Sequence, residues 1–307
     1  MTGLAIKCQG LTKRYGAVLA LDGLGLEVGR NVVFGFLGPN GAGKTTTIKI
    51  LAGLISATSG VAYLAGRRVS PRDPASRRRV GYLPEEPSFY DWMTAREYLH
   101  FVGGLLGMDG RQARLRAGEL LEIVDLGEAA GRRIGGFSRG MRQRLGIAQA
   151  LIGQPDVLLL DEPASALDPL GRRDVLALIE RLAGETTVFM STHILADVER
   201  VCHQVAIIDR GRLVAQASQE ELRRRYATPV FEIETVAVMP DLLEKLRELP
   251  WVARIEHRRA LLRLTATDHR LAQRQLPELV ASLGEQLVRY ERVGPTLEDV
   301  FVRLVRP

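Results

Sequence analysis

The stretch VVFGFLGPNGAGKTTTIKILA, residues 32–52, decides the fold. Its first part is a continuous apolar run, the mark of a buried strand. The run turns through glycines, and apolar residues then return at helical spacing at Ile48, Leu51 and Ala52. Within it, GPNGAGKT (38–45) fits G-x-x-x-x-G-K-[ST], between a strand and a helix as that pattern requires. Gly38, Pro39, Asn40, Gly41, Ala42 and Gly43 can wrap their backbone N–H groups around a phosphate, and Thr46 follows on the helix. The helix N-terminus adds partial positive charge. Lys44 is expected to reach the β- and γ-phosphates of a nucleotide, and Thr45 to ligate Mg²⁺.

A second element belongs with the first. VLLLD (157–161) is a short apolar run bounded by Pro155 and Pro163, hence a buried strand whose last residue is Asp161. A carboxylate there sits at the C-terminal edge of a parallel sheet, where ligands bind, and suits Mg²⁺. Glu162 follows and can orient or deprotonate an attacking water. His193, after the apolar run TTVFMS (186–191), is placed to contact a γ-phosphate. The only asparagines, Asn31 and Asn40, open no Asn-Lys-x-Asp motif, which argues against a GTPase.

The bulk numbers agree with a soluble protein of one large or two modest domains. The chain has 307 residues and a net charge of +6. No apolar run approaches the roughly 18 residues of a membrane-spanning helix, and no signal peptide is visible. Cys8 and Cys202 lack metal-ligand spacing and read as small core residues. The arginine-rich charge reads as scattered solvated side chains rather than a nucleic-acid surface.

Around the two central runs, 4–9, 21–28 and 61–69 read as strands. Residues 94–150 read as helical, broken at Gly103–Gly104, Asp109–Gly110 and Arg132 to Gly136. Residues 169–183 and 194–202 read as helices, and 205–216 as a hairpin turning at Asp209 to Gly211. The alternation implies an α/β fold with a mainly parallel sheet, into which 94–150 is inserted. After Arg225 the order changes to strand (230–238), helix (240–249), strands (251–257, 260–267), helix (269–283) and strand (286–293). That is the ferredoxin-like β-α-β-β-α-β pattern. A last helix is expected over 296–305, and the tail from 229 carries 12 basic and 12 acidic residues.

In this order, the glycine loop 38–45, Asp161–Glu162, SALD (165–168) and His193 resemble the nucleotide-binding subunit of an ABC transporter across residues 4–222. FSRGM (137–141) stands where that family has its LSGGQ signature. The resemblance implies a P-loop NTPase fold: a RecA-like sheet, an antiparallel β subdomain and a helical insertion at about 86–153. It sets the ATPase domain at 1–222 and an accessory α+β domain at 223–307. It also implies that ATP and Mg²⁺ bind and that two ATPs are sandwiched in a head-to-tail dimer, expected to be a homodimer. Separate polytopic permease subunits would hold the protein, cytoplasmic, on the inner face of the membrane.

Residue by residue, Glu162, His193 and Lys44 would be catalytic, with Tyr15 stacked on adenine. Ser138 and Gly140 would donate to the partner's γ-phosphate. Glu85 stands where relatives carry glutamine and would reach Mg²⁺ or the water, and Arg139, Met141 and Ala166 also depart from the pattern. Phe89, Tyr90 and Trp92 fall where a permease's coupling helix docks, or else in the helical core. The tail, ending in PTLEDVFVRL (295–304), is similar to the extension of drug-resistance and antibiotic-export ATPases. The expected function is thus an exporter's ATPase; the alternatives are an importer's ATPase or an ABC protein acting on ribosomes or DNA.

Overall fold

A computed structural model of the chain describes residues 3–225, 230–236, 240–283, 286–293 and 297–305. The described chain forms two compact units, Met1–Gln219 and Glu220–Pro307.

The first unit opens with a long hairpin, β1 (Leu4–Tyr15) and β2 (Val18–Gly29). The central strand β3 (Val33–Leu37) and helix α1 (Lys44–Leu51) flank the glycine loop. Strands β4 (Ser59–Leu64) and β5 (Arg67–Arg68) form a second hairpin, followed by β6 (Val80–Leu83). The helical insertion holds α2 (Ala95–Leu105), α3 (Gly110–Ile123) and α4 (Arg139–Leu151). The chain returns through β7 (Val157–Asp161), α5 (Pro169–Arg181), β8 (Thr187–Thr192), α6 (Leu195–Val201), β9 (Gln204–Asp209) and β10 (Arg212–Ser218).

Six strands form the main sheet in the order β10-β9-β3-β8-β7-β6, all parallel except β10. β3, β7 and β8 are buried at every residue, as their unbroken apolar runs require of strands covered on both faces. Phe34 stacks on Phe189 of the neighbouring strand with ring centres 5.5 Å apart. A separate antiparallel sheet, β2-β1-β4-β5, carries Tyr15 at the end of β1. The insertion leaves after β6 and re-enters at β7, adjacent strands of one sheet.

Local capping sets the helix starts. Thr94 and Glu97 form a reciprocal capping box at α2. Asp109, Ser138 and Asp168 cap α3, α4 and α5.

Two local expectations need correction. Residues 61–69 are not one strand: the chain reverses at Ala65 and Gly66, whose φ angles of 46° and 81° make the tight turn between β4 and β5. Gly103–Gly104 does not break a helix but lies inside α2. A Cβ at Gly103 would meet the Ala113 Cβ at 2.9 Å, so the glycine lets α2 and α3 approach closely. Strand β6 is an addition: its four residues, VGYL, between Arg79 and Pro84, are too short a run to announce it. Cys8 and Cys202 are free and buried, and burial raises the Cys8 thiol to about 12.

The second unit starts with α7, which spans Gln219–Arg225 across the boundary. Then come β11 (Val230–Thr235), α8 (Pro240–Arg247), β12 (Val252–Arg258), β13 (Leu261–Ala266), α9 (His269–Ser282), β14 (Leu287–Val293) and α10 (Leu297–Val305). The antiparallel order β12-β13-β11-β14 places the third strand between the first two, the split arrangement of the ferredoxin-like pattern. Phe231, Ile233 and Leu264 pack with Leu246, Trp251 and Leu276 in its core. Residues 237–238 of the first expected strand, and Pro295 and Thr296 at the start of the last helix, lie outside the described residues.

Candidate nucleotide site

Three neighbouring parallel strands, β3, β8 and β7, end at one edge of the main sheet. From those ends come the glycine loop, His193 and Asp161–Glu162. Parallel register therefore gathers residues that lie more than a hundred positions apart.

The glycine loop takes its shape from backbone freedom. Gly41 and Gly43 have φ of 80° and 106°. A Cβ on Gly43 would also strike the Ala20 carbonyl oxygen at 2.6 Å. Lys44, only 6 % exposed, donates to the Gly38 and Pro39 carbonyls at 2.8 and 3.2 Å. Its Nζ also pairs with Glu162 Oε1 at 3.2 Å.

The other Glu162 oxygen, Oε2, lies 2.9 Å from His193 Nδ1. Glu162 is 7 % exposed, so this carboxylate is held from both sides by cationic or proton-bearing groups. Its backbone is left-handed, with φ 49°, an arrangement costing a non-glycine residue about 1 kcal/mol. Thr45 Oγ1 donates to Asp161 Oδ1 at 3.2 Å, and Ser191 Oγ donates to the same oxygen at 2.7 Å. Burial pushes the Asp161 carboxyl above the usual carboxylate range, while these two hydrogen bonds pull it back.

A cleft of about 530 Å³ is lined by Tyr15, Asn40, Gly41, Gly43, Lys44, Thr45, Thr46, Glu85, Glu162 and His193, with Ala20. Tyr15 is half exposed, with Lys13 Nζ 4.9 Å from its ring centre. Glu85 is exposed beside the loop. Gly38, Pro39 and Ala42 shape the loop from behind: Ala42 N–H donates to the Pro39 carbonyl at 3.2 Å.

Ser138 and Gly140 are not among the residues lining this cleft. Ser138 caps α4 by accepting from Met141 N–H at 3.3 Å, which leaves its own O–H to donate elsewhere. The neighbouring arginines are not a free basic face. Arg142 pairs with Asp91 at 2.8 Å and Arg139 approaches Glu86 at 3.9 Å. Arg144 donates to the Val124 and Asp125 carbonyls just past the end of α3.

The aromatic trio divides. Phe89 packs edge-on against Tyr98 with centres 5.2 Å apart, inside the helical insertion. Tyr90 and Trp92 are 51 % and 69 % exposed, and Trp92 borders a groove of about 600 Å³ with Met93, His100 and Phe101.

Two contributors escape a reading of single motifs. Ser191 Oγ links the Asp161 carboxylate to the Glu162 backbone N–H, and Arg172 binds the buried Asp197 at 2.7 Å, joining α5 to α6. The hydroxyl in TTVFMST, two residues before His193, was the visible signal for Ser191.

Comparison with known proteins matches this geometry. Residues 21–165 fit the family "ABC transporter", and 218–305 fit the C-terminal domain of DrrA1-3-like ATP-binding proteins. The chain is 41 % identical over 300 residues to the uncharacterized ABC transporter ATP-binding protein YxlF of Bacillus subtilis, covering 98 % of this chain and 99 % of that one. It is 37 % identical to the daunorubicin resistance ATP-binding protein DrrA2 of Streptomyces coeruleorubidus, over 99 % of this chain and 96 % of that one. It is 36 % identical to the bacitracin transport ATP-binding protein BcrA of Bacillus licheniformis, over 98 % and 97 %. A solved ATP-binding subunit of an ABC transporter superposes with a TM-score of 0.65 at 30 % identity, over 72 % of this chain and 93 % of that one. The cassette MJ0796, solved as a dimer bound to ADP and Pi, superposes with a TM-score of 0.62 at 25 % identity, over 69 % and 98 %. With a glycine loop, a strand-end carboxylate pair and relatives aligned along nearly its whole length, the chain belongs to the ATP-binding, ATP-hydrolysing proteins of ABC transporters.

Proposed function

We propose that the chain is the motor subunit of an exporter, hydrolysing ATP to drive separate transmembrane subunits. The observation that carries the catalytic part is the Lys44–Glu162–His193 contact chain beside the glycine loop. Export is supported by the tail, whose relatives include the daunorubicin resistance and bacitracin transport proteins.

In this reading adenine stacks on the Tyr15 face away from Lys13. The loop N–H groups and the start of α1 take the phosphates. Lys44 exchanges its carbonyl and carboxylate contacts for β- and γ-phosphate oxygens. Thr45 and Asp161 supply the hard oxygen ligands that suit Mg²⁺, with Glu85 within the same cleft. Bound there, Mg²⁺ would neutralise phosphate charge. Glu162, released by Lys44, accepts the proton of the attacking water, and His193 holds its carboxylate and steadies the γ-phosphate.

Ser138 and Gly140 face the glycine loop of a second copy, so that two ATPs close a head-to-tail homodimer. The groove beside Trp92 receives a permease helix. The tail steadies the dimer or tunes its coupling. Among the described residues no helix is long and apolar enough to cross a membrane. The test is purification of the chain from membranes. Co-purification of a polytopic protein that stimulates its ATPase supports the reading. Recovery with RNA or DNA, lost steeply as salt rises, overturns it.

A further inference from the structure

Ser191 lies on β8 directly opposite Asp161 of β7 in the parallel register, and no part of it is exposed. Its hydroxyl makes two hydrogen bonds whose directions are fixed by chemistry. A carboxylate accepts, so Ser191 Oγ donates its one hydrogen to Asp161 Oδ1, at 2.7 Å. A backbone N–H donates, so Ser191 Oγ accepts from Glu162 N–H, at 3.0 Å. One buried hydroxyl therefore ties down the side chain of the first carboxylate and the backbone of the second.

That backbone is the left-handed one, φ 49°, which turns the Glu162 side chain toward Lys44 and His193. Strained conformations persist where the surroundings over-determine them. The neighbouring hydroxyl is turned away: Thr192 follows Ser191 on the same strand, so its side chain points to the opposite face, where Oγ1 accepts from Ile194 N–H at the start of the next helix. An apolar side chain at 191 would leave the Glu162 N–H buried without a partner and would leave Asp161 Oδ1 held by Thr45 alone.

We propose that Ser191 is a positioning residue of the ATPase site, its hydroxyl setting the geometry of Asp161 and Glu162 together. The inference rests on the reading of Asp161 as a Mg²⁺ holder and Glu162 as the base.

Ser191→Thr and Ser191→Val separate the hydroxyl from packing, since threonine and valine share a shape. S191T is expected to keep kcat within about three-fold, and S191V to fall about thirty-fold below it, the loss of a hydrogen bond to a charged site. Binding of a fluorescent ATP analogue in EDTA changes less than about three-fold in both. In a Mg²⁺ titration of that binding, only S191V moves its midpoint upward. Equal kcat in S191T and S191V overturns the proposal, as does loss of EDTA-measured binding in S191V alone. If neither folds, S191A is compared with the unsubstituted protein by the same readouts. Glu162→Gln separates the two levels: normal turnover in E162Q sinks the base assignment, whereas an inactive E162Q with equal S191T and S191V sinks only the positioning role.

Discussion

The first unit and the tail each close around an apolar core, yet they bury different chemistry. In the first unit Lys44, Asp161, Glu162, Ser191, Thr192 and Asp197 are all buried. In the tail, Thr235 is the one buried polar residue among the described residues. Burying a charge is costly unless it is paired, so a cluster of buried ionic groups at one sheet edge marks a site under functional constraint. The tail's ion pairs lie along a strand, as in Arg254–Glu256 on β12, or join a strand to a helix, as Arg263 of β13 does with Asp299 of α10. Among its described residues there is no comparable cluster of buried ionic groups.

That contrast can be broken by substitution. The largest expected effect is in the first unit: Glu162→Gln lowers ATP turnover about 10³-fold, the range of a lost general base, and accumulates an ATP-dependent dimer. Steady-state phosphate release and size-exclusion chromatography with ATP measure both. The tail's counterpart is Phe231→Ala, which empties a fully buried site and destabilises that unit by about 4 kcal/mol. Nucleotide affinity should stay within about two-fold. A larger loss would show that the units are not energetically separate.

Next comes Arg172→Ala, which leaves Asp197 buried without its cation and costs about 2 kcal/mol. Burial already holds the Asp197 carboxyl above its ordinary range, with the Arg172 hydrogen bond opposing the shift. A raised folded-state value means the native state binds the extra proton. Stability therefore falls as pH rises from the ordinary carboxylate value through the folded one. Without Arg172 the deficit should be largest near neutral pH and shrink toward about pH 4, read from thermal melts. Smaller still, Tyr15→Ala should weaken ATP binding about ten-fold by removing the stacking platform. Smallest are the exposed pairs: Lys7→Ala in the first unit and Arg254→Ala in the tail should each change stability by less than about 0.5 kcal/mol.

Legibility in the sequence followed the range of the interactions. The glycine loop, the buried VLLLD strand and the hairpin at Asp209 to Gly211 are local patterns, and each forms where its residues indicate. The β5 turn and the helical Gly103 were opaque, because each depends on what packs against the glycine or follows the turn. Phe89 and Trp92, three residues apart, looked alike in sequence and part ways in space, one packed on Tyr98 and one open to a groove.

The sequence by itself determined a phosphate-binding loop, a strand-end carboxylate pair and a βαββαβ tail, since short-range periodicity and residue chemistry suffice for those. Tertiary structure alone decided that Lys44 meets Glu162 and that Ser191 bridges Asp161 and Glu162. The reason is register. Residues separated by thirty to more than a hundred positions become neighbours only when parallel strands align residue for residue, and no local pattern encodes that alignment.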